Sequence, residues 1–139
     1  MPDQELGALL AGAIRRIVEA ERPILHTHGL SMWAYAALAQ LAQEPAPTQV
    51  ALARAMRYDK NRLISLLDQL QAEGLIVREP DPADRRNLRI RLTPAGQQRH
   101  AAVRAQIDLM ETRLLEGVSG KDQHILRTSL ARLAQVEEA

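Results

Sequence analysis

Between Thr48 and Thr93 the spacing of apolar residues changes character, and this change restricts the fold more than any other feature of the chain. After Thr48, which can cap a helix, Leu52, Ala55 and Met56 recur at helical spacing, with Val50 as a further candidate, over a short helix Gln49 to Met56. Arg57-Tyr58 makes a tight turn. Asp59 is the next N-cap, and Leu63, Leu67 and Leu70, with Ile64 and Leu66, stripe a longer helix from Lys60 to Glu73. Gly74 sits where a glycine ends a helix. The period then falls to two. Leu75-Ile76-Val77-Arg78 reads as a strand, Glu79 to Asn87 as a polar turn marked by two prolines, and Leu88-Arg89-Ile90-Arg91-Leu92 as a half-exposed strand. Short helix, tight turn, longer helix and hairpin in direct succession form a winged helix-turn-helix.

Helices flank this unit on both sides. Leu6, Leu9, Leu10, Ala13, Ile14, Ile17 and Val18 form one amphipathic face, and Pro23 is expected to end that helix near Arg22. Ser31 caps a second helix, Met32 to about Gln43, and Glu44-Pro45-Ala46-Pro47 breaks it. Thr93-Pro94 supplies N-cap and first turn of a fifth helix, which runs past Val103, Ile107, Met110 and Leu114 to Gly117. Ser119 caps a sixth, with Asp122 three residues on and Ile125, Leu126, Leu130 and Leu133 as its apolar positions. The fold class is mainly α, with a two-stranded β wing.

Composition agrees with this reading. Aromatics are 2% of the residues and phenylalanine is absent, so the core rests on leucine, alanine, isoleucine and valine, which favours helices. The absence of cysteine excludes disulfides, thiol catalysis and thiol redox sensing. Every apolar run stops short of the roughly 20 residues needed to span a bilayer. The N-terminus carries Asp3 and Glu5 rather than the basic cap of a secretory signal. A cytoplasmic protein with no membrane partner is expected.

The formal net charge is only +1, but it is unevenly distributed. Residues 54–91 carry nine Arg and Lys against six Asp and Glu; residues 1–53 carry three against five, and residues 92–139 six of each. All but Lys60 of the central basic residues are arginine, the side chain best suited to phosphate and base edges. With the leucine stripe facing inward, the longer helix displays Lys60, Asn61, Arg62, Ser65 and Gln69. Asparagine can read adenine, arginine guanine, and serine base or phosphate. An ordinary solvated helix face is the competing reading. Arg85 and Arg86 weigh against it, because adjacent arginines on a projecting loop match insertion into a minor groove. Asp81 and Asp84 are placed to hold their guanidinium groups. Arg89 and Arg91 point to one face of their strand, towards backbone phosphate.

Several stretches together resemble the MarR family of bacterial transcriptional regulators. They are Gly29-Leu30-Ser31, Thr48-Gln49-Val50-Ala51-Leu52-Ala53, Asp59-Lys60-Asn61-Arg62-Leu63, Leu66-Leu67-Asp68-Gln69-Leu70 and Glu73-Gly74-Leu75-Ile76. The most specific are the wing Asp81-Pro82-Ala83-Asp84-Arg85-Arg86 and the following Leu92-Thr93-Pro94-Ala95-Gly96. The resemblance implies a homodimer on a pseudo-palindromic operator, with residues 1–29 as an N-terminal dimerisation helix and connection. Residues 30–96 would be the DNA-binding winged helix and 97–139 the C-terminal dimerisation helices, in one intertwined domain. It extends DNA contact to Thr48 and Gln49 and directs Arg85 and Arg86 to the minor groove. Many members carry arginine where this chain has Ser65; Arg62, one turn earlier, is the expected substitute.

The resemblance also implies a small aromatic or phenolic effector between the dimerisation helices and the DNA-binding lobe. Arg16, His26, His28, Trp33 and Tyr35 are the candidates for lining its site. Core packing for Trp33 and a solvated loop for the two histidines are the plainer alternatives. His26 and His28 lack the cysteine or carboxylate partners of a metal site, and no cofactor is expected. No phosphate loop or nucleophile elbow points to an enzyme. The leading expectation is a ligand-responsive, DNA-binding repressor; the alternative is a winged-helix module that docks another protein.

Overall fold

The computed structural model describes residues 4–46 and 48–135. Asp3, and Pro47 of the break, lie outside the described residues. The elements follow one another as α1 (Leu6–Thr27), α2 (Met32–Gln43), α3 (Gln49–Met56), α4 (Lys60–Ala72), β1 (Ile76–Pro80), β2 (Leu88–Leu92), α5 (Pro94–Leu114) and α6 (Gly120–Ala134).

Local chemistry sets most of these boundaries. The side chains of Ser31, Thr48, Asp59, Thr93 and Ser119 each accept a hydrogen bond from the backbone N–H three residues on. Helices α1, α3 and α4 end in the same double hydrogen-bonded hook. After α4, the Leu75 N–H donates to the Leu70 carbonyl and the Gly74 N–H to Gln71, with Gly74 at φ 77°. After α3 the left-handed position is held by Arg57, at φ 51°, a conformation that costs a non-glycine residue about 1 kcal/mol.

Three boundaries differ from the sequence expectation. Helix α1 runs through Pro23 to Thr27. Leu25, beyond the proline, is buried, and Leu30 closes the helix by donating its N–H to the Leu25 carbonyl. Pro23 and Glu19 are both exposed, so the carbonyl that loses its partner faces water. Strand β1 begins at Ile76 and reaches Pro80, because Pro80 lies opposite Leu88 at the open end of the antiparallel ladder. Helix α5 stops at Leu114 rather than Gly117, and turns at Leu115 to Val118 lead into α6.

The core lies inside the winged helix. Leu38, Leu52, Leu63, Leu67, Leu70, Leu75, Ile76, Ile90 and Val103 are all fully buried. The hairpin is stitched to the α2–α3 connection by Ala46 and Ile90, which exchange backbone hydrogen bonds of 2.9 and 2.8 Å. Gly96 packs against the chain after α4, where an added Cβ would run into the Leu75 carbonyl. Gly96→Ala is therefore expected to destabilise the fold by about 3 kcal/mol. In a thermal melt this is a drop of roughly 10 °C; an unchanged melting temperature would contradict the packing described.

The terminal helices are different. Helix α6 buries no residue, and Ile125, Leu126, Leu130 and Leu133 are all exposed along it. Leu6, Leu9 and Ile14 on α1 and Leu109 on α5 are also exposed.

Candidate nucleic-acid interface

Helix α4 turns Leu63, Leu67 and Leu70 into the core and leaves Lys60, Asn61, Arg62, Ser65 and Gln69 exposed. Asp59 caps its first turn, with Oδ2 accepting from the Arg62 N–H at 2.9 Å. Lys60, Asn61 and Arg62 thus project from a fixed helix start, the part of such a helix that approaches base edges.

The wing tip is held by Asp84. Both carboxylate oxygens accept from Arg86, from Nε at 3.1 Å and from Nη2 at 3.3 Å. The backbone N–H of Arg86 and Nδ2 of Asn87 donate to the same group. These bonds, led by the one from the Arg86 side chain, hold the Asp84 carboxyl below its ordinary range. Arg86 itself is 90% exposed. Asp81 does not hold a guanidinium; its Oδ1 accepts from the Ala83 N–H and shapes the turn. On the strand face, Arg91 is occupied by Glu79 at 2.8 Å, which pulls the Glu79 carboxyl down, and Arg89 sits opposite Glu79 in the ladder.

Wing and helices meet at a cleft of about 230 Å³. Thr48, Gln49 and Val50 line it from the start of α3, Lys60 from the start of α4, and Arg86, Asn87 and Leu88 from the wing. The structure thus brings Thr48, Gln49, Lys60 and Arg86 together, with Asn61, Arg62, Ser65, Gln69 and Arg85 exposed on the flanking elements. Sequence reasoning missed Val50, Asn87 and Leu88 as parts of this cleft. It also missed Arg78, whose guanidinium bonds Gln71, Asp68 and Gln49. An arginine inside the short apolar run Leu75-Ile76-Val77 was its only signal.

A model of the MarR family matches residues 28–87. A putative transcriptional regulatory protein for the hcr operon of Thauera aromatica is 37% identical over 100 residues, 71% of this chain and 60% of that protein. The crystal structure of CouR from Rhodococcus jostii RHA1 bound to p-coumaroyl-CoA superposes with a TM-score of 0.84 at 27% identity, covering 98% of this chain and 96% of the other. The transcriptional repressor CouR bound to a 23-mer DNA duplex gives 0.85 at 26% identity, over 94% and 93%.

This chain belongs to the MarR family.

In this MarR-family chain the five candidate effector residues do not gather around one cavity. Trp33 stacks on Tyr58 of the α3–α4 turn, ring centroids 4.3 Å apart, and Tyr35 stacks on His100 of α5 at 5.6 Å. The His28 carbonyl accepts from Arg99 at 2.8 Å, while its ring Nε2 is buried without a partner. Arg16 is exposed on α1. Only His26 borders a crevice, of about 210 Å³, with Val18, Glu21, Arg22, Leu25, Leu30, Ser31 and Met32. Burial, and then the nearby Glu111, raises the Glu21 carboxyl. Burial also raises the Tyr35 phenol, against the pull of Arg104, and lowers the His100 imidazole. Among the described residues no cluster of His, Asp and Glu could hold a metal ion, and no helix is long and apolar enough to cross a membrane.

Proposed function

We propose that this chain is a ligand-responsive transcriptional repressor that binds a pseudo-palindromic operator as a homodimer. The observation that carries the reading is the cleft where the starts of α3 and α4 meet the wing. Its shape suits the sugar–phosphate ridge between two grooves, with the first turn of α4 in the major groove and Arg85 and Arg86 in the adjacent minor groove. Lys60 and the Thr48 hydroxyl face the phosphate; Asn61, Arg62, Ser65 and Gln69 face base edges. Residues 30–96 form this reading head. Residues 1–29 and 97–139 carry the exposed apolar faces of α1, α5 and α6, which a second copy would cover about a two-fold axis.

The effector is a small aromatic or phenolic acid, or its thioester. CouR, which binds p-coumaroyl-CoA, supports this class. Arg16, His26, His28, Trp33 and Tyr35 are the proposed lining, completed where two copies meet. The protein works in the cytoplasm, where its DNA is, and acts by binding rather than catalysis.

Salt dependence tests the reading. The logarithm of the affinity for duplex DNA is expected to fall linearly with the logarithm of salt concentration, by about 0.9 per phosphate neutralised. Lys60→Ala is expected to lower that slope by about 0.9. Affinity that is flat across salt, or no binding, would instead favour a protein-docking module.

A further inference from the structure

We infer that Arg78 is a positioning residue that locks the wing to the recognition helix and so sets the distance between the Arg86 and α4 contacts; the inference rests on the DNA-binding reading above. Arg78 lies on β1 in the wing stem, opposite Ile90. Its Nε donates to Gln71 Oε1 at 2.7 Å, its Nη2 to Asp68 Oδ1 at 2.7 Å and its Nη1 to Gln49 Oε1 at 3.4 Å. One planar group therefore ties together the three elements that border the cleft: β1, α4 and the first residue of α3. Its side chain is only 17% exposed, so it does not itself face DNA.

The shape of the guanidinium matters here. Its donors lie in one plane at fixed angles, so three acceptors fix the tilt of the wing stem as well as its distance from α4. A lysine ammonium is a single point and cannot span the same three acceptors. Asp68 is 61% exposed, so losing Arg78 leaves a hydrated carboxylate rather than a buried unpaired charge. The cost therefore falls on the placement of the wing more than on folding.

The test is a double-mutant cycle with Arg86, using the full-length chain and a duplex selected for tight binding. Arg78→Ala is expected to weaken binding about tenfold in the parent but less than about twofold in the Arg86→Ala background, because a misplaced wing without its arginine has little left to lose. Arg78→Lys is expected to behave like Arg78→Ala. Gln71→Ala, which removes one acceptor from an exposed helix position, is expected to give a smaller loss that also vanishes without Arg86, and it carries the test if Arg78→Ala does not fold. A merely structural role would give equal losses in both backgrounds, with a lower melting temperature; that result, or no loss at all, would overturn the inference. If the parent binds and Arg86→Ala weakens binding while the cycle is additive, this inference alone fails. If the parent binds no duplex, the DNA-binding reading fails with it.

Discussion

Removing both wing arginines, Arg85→Ala with Arg86→Ala, is expected to weaken operator binding by about two orders of magnitude, at ~1–3 kcal/mol for each lost contact. The expected change is confined to DNA. Both side chains are exposed, and Arg86 bonds only within the wing tip, to Asp84. Melting temperature and oligomeric state should therefore match the parent. Asp84 adds a pH argument. Its carboxyl is held below the ordinary value by the Arg86 side chain and backbone, so the brace is complete above the usual aspartate pKa of about 3.9 and is lost only as pH falls through the lowered value. Wing binding is accordingly expected to show no Asp84-dependent change near neutral pH. A double variant that binds as tightly as the parent would remove the wing from the interface.

The second large effect is expected at the apolar face of α6. Leu126→Asp with Leu130→Asp should raise the dimer dissociation constant by at least about a thousandfold. Each leucine is worth ~1.5–3 kcal/mol when buried, each substitution counts twice across a two-fold axis, and each adds a charge where apolar cover is needed. Sedimentation would show a folded monomer, since α6 buries nothing in its own chain. Operator binding should fall with it, because two half-sites are no longer bound as one. A variant that remains dimeric would place the interface elsewhere.

The winged helix was legible in the sequence because local chemistry sets its boundaries. Capping side chains start α2 to α6, and Gly74 and the Arg57-Tyr58 turn end α4 and α3 through hydrogen bonds that span at most five residues. Pro23 misled for the opposite reason. Its local preference was overridden by the burial of Leu25 and Leu30, a tertiary effect. At the candidate interface, Lys60, Asn61, Arg62, Arg85 and Arg86 could be named from their positions in the motif. The cleft that joins them could not, because it depends on how α3, α4 and the wing pack. Arg78 was hidden in the same way: its partners lie seven, ten and 29 residues away, beyond any helical or strand period. The effector candidates were chosen by residue type, and residue type does not specify direction. Trp33 and Tyr35, two residues apart on one helix, stack on different elements.

The near-zero net charge concealed the same organisation. Its basic excess is concentrated in residues 54–91, which hold α4 and the wing. The most direct measurement is therefore a selection of bound sequences from random duplexes with the full-length protein. The expected result is enrichment of an inverted repeat with half-sites about one helical turn apart, roughly 10 base pairs centre to centre, or a multiple of that spacing. Recovery of sequences with no common element, or of a single unrepeated site, would contradict a two-fold repressor that reads DNA through α4 and the wing.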